Sequence, residues 1–212
     1  MNHFKMSLLD AHTHQLRKGA IVDVAPATEL HDGFLYSKGI HPWRVTDDAD
    51  MDLLKRACMD PRVVAIGECG LDNVCDSPME LQERLFRQQI SLSEELKKPL
   101  IIHCVRAHDR LLAIRREMDP QQAWIFHGFR LKPTIARRII ESGMYVSLGS
   151  KFNEESAIII PEERLLIETD DDPVTDIEEV ATRVGNARGT DRMGIETICS
   201  ENLTRILTQT LT

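Results

Sequence analysis

The chain has 212 residues, 42% of them hydrophobic, and a net charge of −8. That length and even composition predict one domain, residues 1–212, with a sizeable core, and the acidic balance argues against a generic nucleic-acid-binding surface. The chain starts without the pattern of a secretory signal, has no apolar run long enough for a membrane span, and carries five scattered cysteines without a CxxC pair, so a cytoplasmic location is expected.

Short β-rich runs alternate with helix-period stretches. The first candidate strand, SLLDAHTH (7–14), ends on histidines at i and i+2, which share one face of a strand. The second, AIVDVAP (20–26), starts six positions after His14. A parallel crossover normally takes a dozen or more residues and a helix, so the first crossover helix is expected to be missing. The second crossover, near ATELHD, has room for a turn or two before FLYSKGIHP (34–42). A helix over 48–60 precedes VVAIGECGLD (63–72). The clearest helix, 77–98, carries Leu81, Leu85, Ile90 and Leu92 on a broad face, with Ser77 as N-cap and Pro78 at N1. PLIIHCV (99–105), AWIFHGF (123–129), MYVSLGS (144–150) and RLLIETDD (164–171) complete eight strands, and helices are read over 106–118, 132–143, 174–189 and 194–211. Eight strands alternating with helices predict a shortened α/β (β/α)8 TIM barrel; an open α/β sheet is the alternative.

In such a barrel the C-terminal strand ends form the active site. Those ends carry His12 and His14, His41, Glu68, His103, His127 and Asp170. Ile66, Ile101 and Ile125 should lie deeper on the same faces as Glu68, His103 and His127, while Glu168 breaks that rule below Asp170. Imidazoles and carboxylates converging this way make a nitrogen and oxygen donor set for Zn, Mn or similar ions. Six donors suit two ions sharing a carboxylate. Cys69 and Cys104 alternate away from these donors and read as packing residues.

With those residues in hand, the sequence resembles the TatD family of metal-dependent hydrolases, among the amidohydrolase-like barrels. DAHTH, GIHPW, IGECGLD, PLIIHCV, IFHGFR and LLIETDD carry the resemblance in family order, with LQERLFRQQISLSEELKKP and ENLTRIL. The resemblance implies two divalent ions (Zn, Mn or Mg), one among His12, His14, Glu68 and Asp170, the other among Glu68, His103 and His127, with Glu68 bridging. It implies that His41 faces the substrate phosphate, and that the reaction is phosphodiester hydrolysis, including DNase activity. Asp170 would orient the attacking water and take its proton. Asp10 is expected to orient a ligand histidine, and Asp72 to bind loop backbone near Glu68.

The chain departs from the family in being short, the shortfall falling largely in the first two crossovers. HCVRAHD stands where HSRDA is common, moving the arginine to Arg106; GFR replaces CFSG and adds Arg130; NVCDSP lacks aromatics. Lys38, Arg44, Arg106, Arg130, Lys132 and Lys151 are placed on the catalytic side, with Arg106 and Arg130 as substrate contacts beside His41. Expected substrates are DNA or small phosphodiesters, for a monomer or a homodimer that covers the thin side. The alternatives are an amide or ester hydrolase on the same site and a non-catalytic metal-binding barrel. Glu68 stands where the wider group often has a bridging lysine, which favours the phosphoester reading.

Overall fold

A computed structural model describes residues 8–209. Ser7 of the first expected strand, and residues 210 and 211 of the last expected helix, lie outside it. The strands are β1 (Asp10–Thr13), β2 (Ala20–Asp23), β3 (Leu35–Lys38), β4 (Val63–Asp72), β5 (Leu100–Val105), β6 (Trp124–Phe126), β7 (Tyr145–Leu148) and β8 (Leu165–Ile167). All are parallel and close in chain order, with Asp10 of β1 paired to Ile167 of β8. The helices are α1 (Met51–Cys58), α2 (Met79–Leu96), α3 (His108–Met118), α4 (Pro133–Glu141), α5 (Glu154–Ile159), α6 (Ile177–Arg188) and α7 (Arg192–Gln209). The closed barrel expected from eight alternating strands is therefore the observed one.

Two apolar clusters hold it. One lies between strands and helices and includes Phe86, Ile90, Leu111, Trp124, Ile139 and Val184. The other gathers Ile21, Ala65, Ile101, Ile125 and Leu166, one from each of five strands. Ile101 and Ile125 thus lie where alternation put them. Ile66 does not: the β4–β5 register shifts between Ile66 and Cys69, and Ile66 joins the cluster under the helices. Two glycines let β4 run close against β5. At Gly67 (φ +144°) a Cβ would sit 2.5 Å from the Ile101 carbonyl oxygen, and at Gly70 (φ +142°) it would run into that of His103.

No helix connects β1 to β2 or β2 to β3, and the second connection contains only two turns. Side chains take the helix's place. The Tyr36 hydroxyl accepts from His31 N–H (3.0 Å) and donates to its carbonyl (3.3 Å). Lys38 Nζ donates to the carbonyls of Pro26 (2.9 Å) and Thr28 (2.7 Å), and Arg62 donates to the Leu30 carbonyl and to Asp32. Every residue of β1 and β2 is buried, while Leu16 in the connection between them is exposed. Lys38, only 3% exposed, is a strut for this loop and not a cation of the mouth, because it alternates outward from the barrel.

Two smaller differences concern helix ends. Pro78, not Ser77, is the N-cap of α2, its carbonyl receiving the N–H groups of Leu81 and Gln82. The short helix α5 was not expected; Asn153 caps it by accepting from Ser156 N–H (2.9 Å).

Candidate metal centre

The first and last strands interlock at the barrel mouth. Asp170 N–H donates to the His12 carbonyl and the Asp170 carbonyl accepts from His14 N–H, both at 3.0 Å. That pattern holds Asp170 in the left-handed region, at φ +54°, a conformation that aspartate tolerates better than most residues and that concentrates at functional sites. Asp10 braces the same seam, accepting from Thr169 N–H and, at 2.7 Å, from its hydroxyl. It receives the His12 backbone N–H but touches no imidazole, contrary to expectation.

Glu68 is the centre of the constellation. Its Oε2 lies 3.5 Å from His12 Nε2 and 3.4 Å from His14 Nε2, and both nitrogens also face Asp170 Oδ1 (3.5 and 3.7 Å). Its Oε1 lies 2.7 Å from His103 Nδ1, 2.8 Å from His127 Nε2 and 3.2 Å from His41 Nε2. Asp23, at the end of β2, accepts the Glu68 N–H at 2.6 Å and comes within 3.7 Å of His14 Nδ1. It was overlooked in the sequence, although its place at a strand end was the available signal.

Hydrogen bonds separate the roles of the rings. His103 Nε2 is 3.0 Å from Asp72 Oδ2, and His127 Nδ1 is 3.3 Å from Glu168 Oε1. A proton held toward each carboxylate leaves the other nitrogen, the one facing Glu68, as the donor for an ion. His41 is the reverse: its Nδ1 accepts Trp43 N–H (3.1 Å), so in the neutral ring the proton sits on Nε2, which lies 3.2 Å from Glu68 Oε1 and 3.3 Å from His103 Nδ1. Asp72 also accepts Val74 N–H, the loop role expected of it, and the Trp43 Nε1–H.

The donor set fits divalent ions. Both ring nitrogens of His12 are fully buried and lack a hydrogen-bond partner among the described residues, an arrangement proteins avoid unless something else satisfies the group. Three groupings bring ligand atoms within 4.8 Å of one another: His12, His127 and Asp170; His12, His14 and Glu68; and His41, Glu68 and His103. Burial works against the charged forms of Glu68 and His12, but His127, His103 and His12 hold Glu68 well below the usual carboxylate range, and Asp170 and Glu68 hold His12 well above the usual imidazole range. Burial likewise opposes charge on His127 and Asp170, yet Glu68 raises His127 to about 10 and His12 holds Asp170 at about 2.

The centre floors a cleft of about 830 Å³ whose lining includes Trp43, Arg44, Arg106, Arg130 and Lys151. None of these four cations has an ion pair or hydrogen-bond partner for its side chain among the described residues; away from the cleft, Arg62, Arg84, Arg87, Arg110, Arg138 and Arg192 are paired with carboxylates, while Arg56, Arg116 and Arg137 are not. Asp171 and Asp172 also line the cleft, but Asp172 is engaged by Ser150, Thr175 and Val174. Lys132, at the N-terminus of α4, does not line it, against expectation. Cys69 is buried in the packing layer as expected. Cys104 lies on the cleft wall, but burial pushes its thiol up to about 12, which suits a packing residue rather than a nucleophile.

A closed parallel barrel that converges imidazoles and carboxylates at the C-terminal ends of its strands defines a TIM barrel with a candidate metal site at its mouth. The chain belongs to the TatD family: the family model described as TatD related DNase matches residues 10–208. The chain is 36% identical over 146 residues to an uncharacterized metal-dependent hydrolase of Buchnera aphidicola, covering 64% of this chain and 55% of that one. It is also 36% identical over 148 residues to the 3'-5' ssDNA/RNA exonuclease TatD of Citrobacter koseri, covering 62% and 55%. The matched stretch thus spans little more than half the length of these curated relatives. The crystal structure of YJJV, a TatD homologue from Escherichia coli K12, shares the fold, with a TM-score of 0.78 at 23% identity over 89% of this chain and 86% of that one. A TatD family hydrolase of Entamoeba histolytica gives a TM-score of 0.69 at 19% identity, covering 81% and 74%.

Proposed function

We propose that the chain hydrolyses phosphodiester bonds, in DNA or in smaller phosphodiesters, with two divalent ions (Zn, Mn or Mg) held at the barrel mouth. The carrying observation is the cleft itself: four unpartnered cations around a buried nitrogen and oxygen donor set, on a chain of net charge −8. Cations left without partners around a cleft suit a substrate that brings its own negative charge. The name of the Citrobacter relative, a nuclease, supports the same reading. The divided carboxylate of Glu68, Oε2 toward His12 and His14 and Oε1 toward His103 and His127, supports two ions with Glu68 between them. The five free cysteines accord with a cytoplasmic setting, and the closed barrel with its packed helices accords with one domain.

Bound there, the ions would supply a water of lowered pKa and positive charge beside the phosphoryl oxygens. Asp170 orients the attacking water and accepts its proton as general base. The water oxygen bonds to phosphorus, the bond to the leaving oxygen breaks, and that oxygen takes its proton from solvent. His41 donates its Nε2–H to a phosphoryl oxygen, and Arg106 and Arg130 hold the flanking phosphate charge.

The test is metal content per chain together with hydrolysis of bis-p-nitrophenyl phosphate and single-stranded DNA, comparing the native protein with Glu68→Ala. About two ions per chain are expected, as in two-metal hydrolases, with both substrates cut and both properties lost in the variant. Full metal occupancy with neither phosphodiester cleaved would overturn the reaction class.

A further inference from the structure

We propose that Trp43 is a stacking platform for one nucleobase of a single-stranded substrate. The inference rests on the phosphodiesterase reading above and assigns the residue that grips the base. Of the seven large apolar side chains left exposed among the described residues, Trp43 alone lines the cleft, and it is 65% exposed. The other tryptophan, Trp124, is fully buried in the core.

The exposed indole is held in place. Its Nε1–H donates to Asp72 Oδ2 at 2.7 Å. Its ring meets His41 edge-on at 5.0 Å and His103 at 6.1 Å between centroids. Its backbone N–H is tied to the His41 ring within the 3₁₀ turn Pro42–Arg44. A rigid aromatic ring loses little conformational entropy on binding, which makes it an efficient contact.

The chemistry of the surroundings selects the ligand. Bases stack on aromatic faces, and only an unpaired, unstacked base has a free face to offer. Arg44, the next residue, is exposed and unpartnered, as a phosphate contact would be. A protein partner would instead want a contiguous apolar patch around the indole, whereas Trp43 is the cleft's one exposed large apolar side chain. Asp72 Oδ2 receives both the indole N–H and the His103 Nε2. One carboxylate oxygen therefore links the platform to the metal centre.

The test pairs two single-stranded oligonucleotides, one normal and one with abasic terminal nucleotides, with wild-type protein, Trp43→Ala and Trp43→Phe. On the normal oligonucleotide Trp43→Ala should lose about ten-fold or more in kcat/KM, mostly through KM, as expected for one stacked base. On the abasic one the loss should shrink several-fold. Trp43→Phe keeps a stacking face without the N–H, so it should recover most of the KM effect. A loss of equal size on both oligonucleotides, or no loss, overturns the proposal while leaving the phosphodiesterase reading intact. A second readout is quenching of the exposed indole when the full chain, without added metal, is titrated with each oligonucleotide. Base-dependent quenching is expected, and equal quenching by both overturns the proposal. If wild-type protein cleaves neither oligonucleotide yet shows base-dependent quenching, the reaction class has failed and the platform stands.

Discussion

Two of the histidines that face Glu68 carry a carboxylate on the far ring nitrogen, Asp72 behind His103 and Glu168 behind His127. Such partners fix the tautomer and aim the ring, and their loss typically costs 10–100-fold in metal affinity. Asp72→Asn and Glu168→Gln are therefore each expected to weaken metal binding by roughly 10–100-fold, read by competition with a chromophoric chelator, with circular dichroism unchanged. Unaltered affinity in both would mean that these carboxylates serve packing alone. The donors themselves were legible, because His12 and His14 share a strand face and the other rings each end an apolar run. Their backing was not. Asp72 reaches His103 only through the β4–β5 register, in which Gly70 pairs with His103. Asp10 was misread because its pairing with Ile167 aims the carboxylate at Thr169 across the seam. Trp43 gave no sign of its exposure in the motif around it.

At the level of elements, the loop 24–34 stands in for a helix, and buried side chains support it. Lys38→Met would remove the charged donor shared by the Pro26 and Thr28 carbonyls, and a hydrogen bond to a charged group contributes about 1.5–3 kcal/mol. Urea denaturation should show a loss of about that size, with the slope unchanged. Arg62 also clamps Asp60, through hydrogen bonds from its guanidinium and its backbone N–H that hold the carboxyl at about 2 against an ordinary 3.8. A depressed carboxyl stabilises the fold above its unfolded value and loses that contribution as the pH falls through its folded one. The stability gap between wild type and Asp60→Asn should therefore be flat at neutral pH and narrow between about pH 4 and pH 2. A gap that stays constant down to pH 2 would rule out the clamp. The missing first helix was legible from the five positions between His14 and Ala20, too few for a crossover. The short helix α5 was not, since its six residues span less than two turns and leave little periodicity to read.

For the whole molecule, the net charge of −8 was plain in the sequence, but its distribution was not, because folding decides which arginines find carboxylates. Arg44, Arg106, Arg130 and Lys151, around the cleft that holds the donor set, find no partner among the described residues. If they meet phosphates, binding of single-stranded DNA should weaken with salt by a log–log slope of about −0.7 per contact. Arg106→Ala and Arg130→Ala should each flatten that slope by about 0.7, measured between 50 and 200 mM salt. A slope near zero in the wild type would point to a small, uncharged substrate. The joint of β1 and β8 has a consequence for how the protein is made. Glu68, His103 and His127 leave the ribosome well before Asp170, and Thr13 and Asp170, which meet at that joint, are 157 positions apart. A nascent chain stopped before β8 lacks Asp170, so the group formed by His12, His14, Glu68 and Asp170 is completed last, after the donors of β4, β5 and β6 have been made. Once seated, an ion held by His12 and Asp170 would act as a clasp between the start and the end of the barrel, and its release would register the parting of the two.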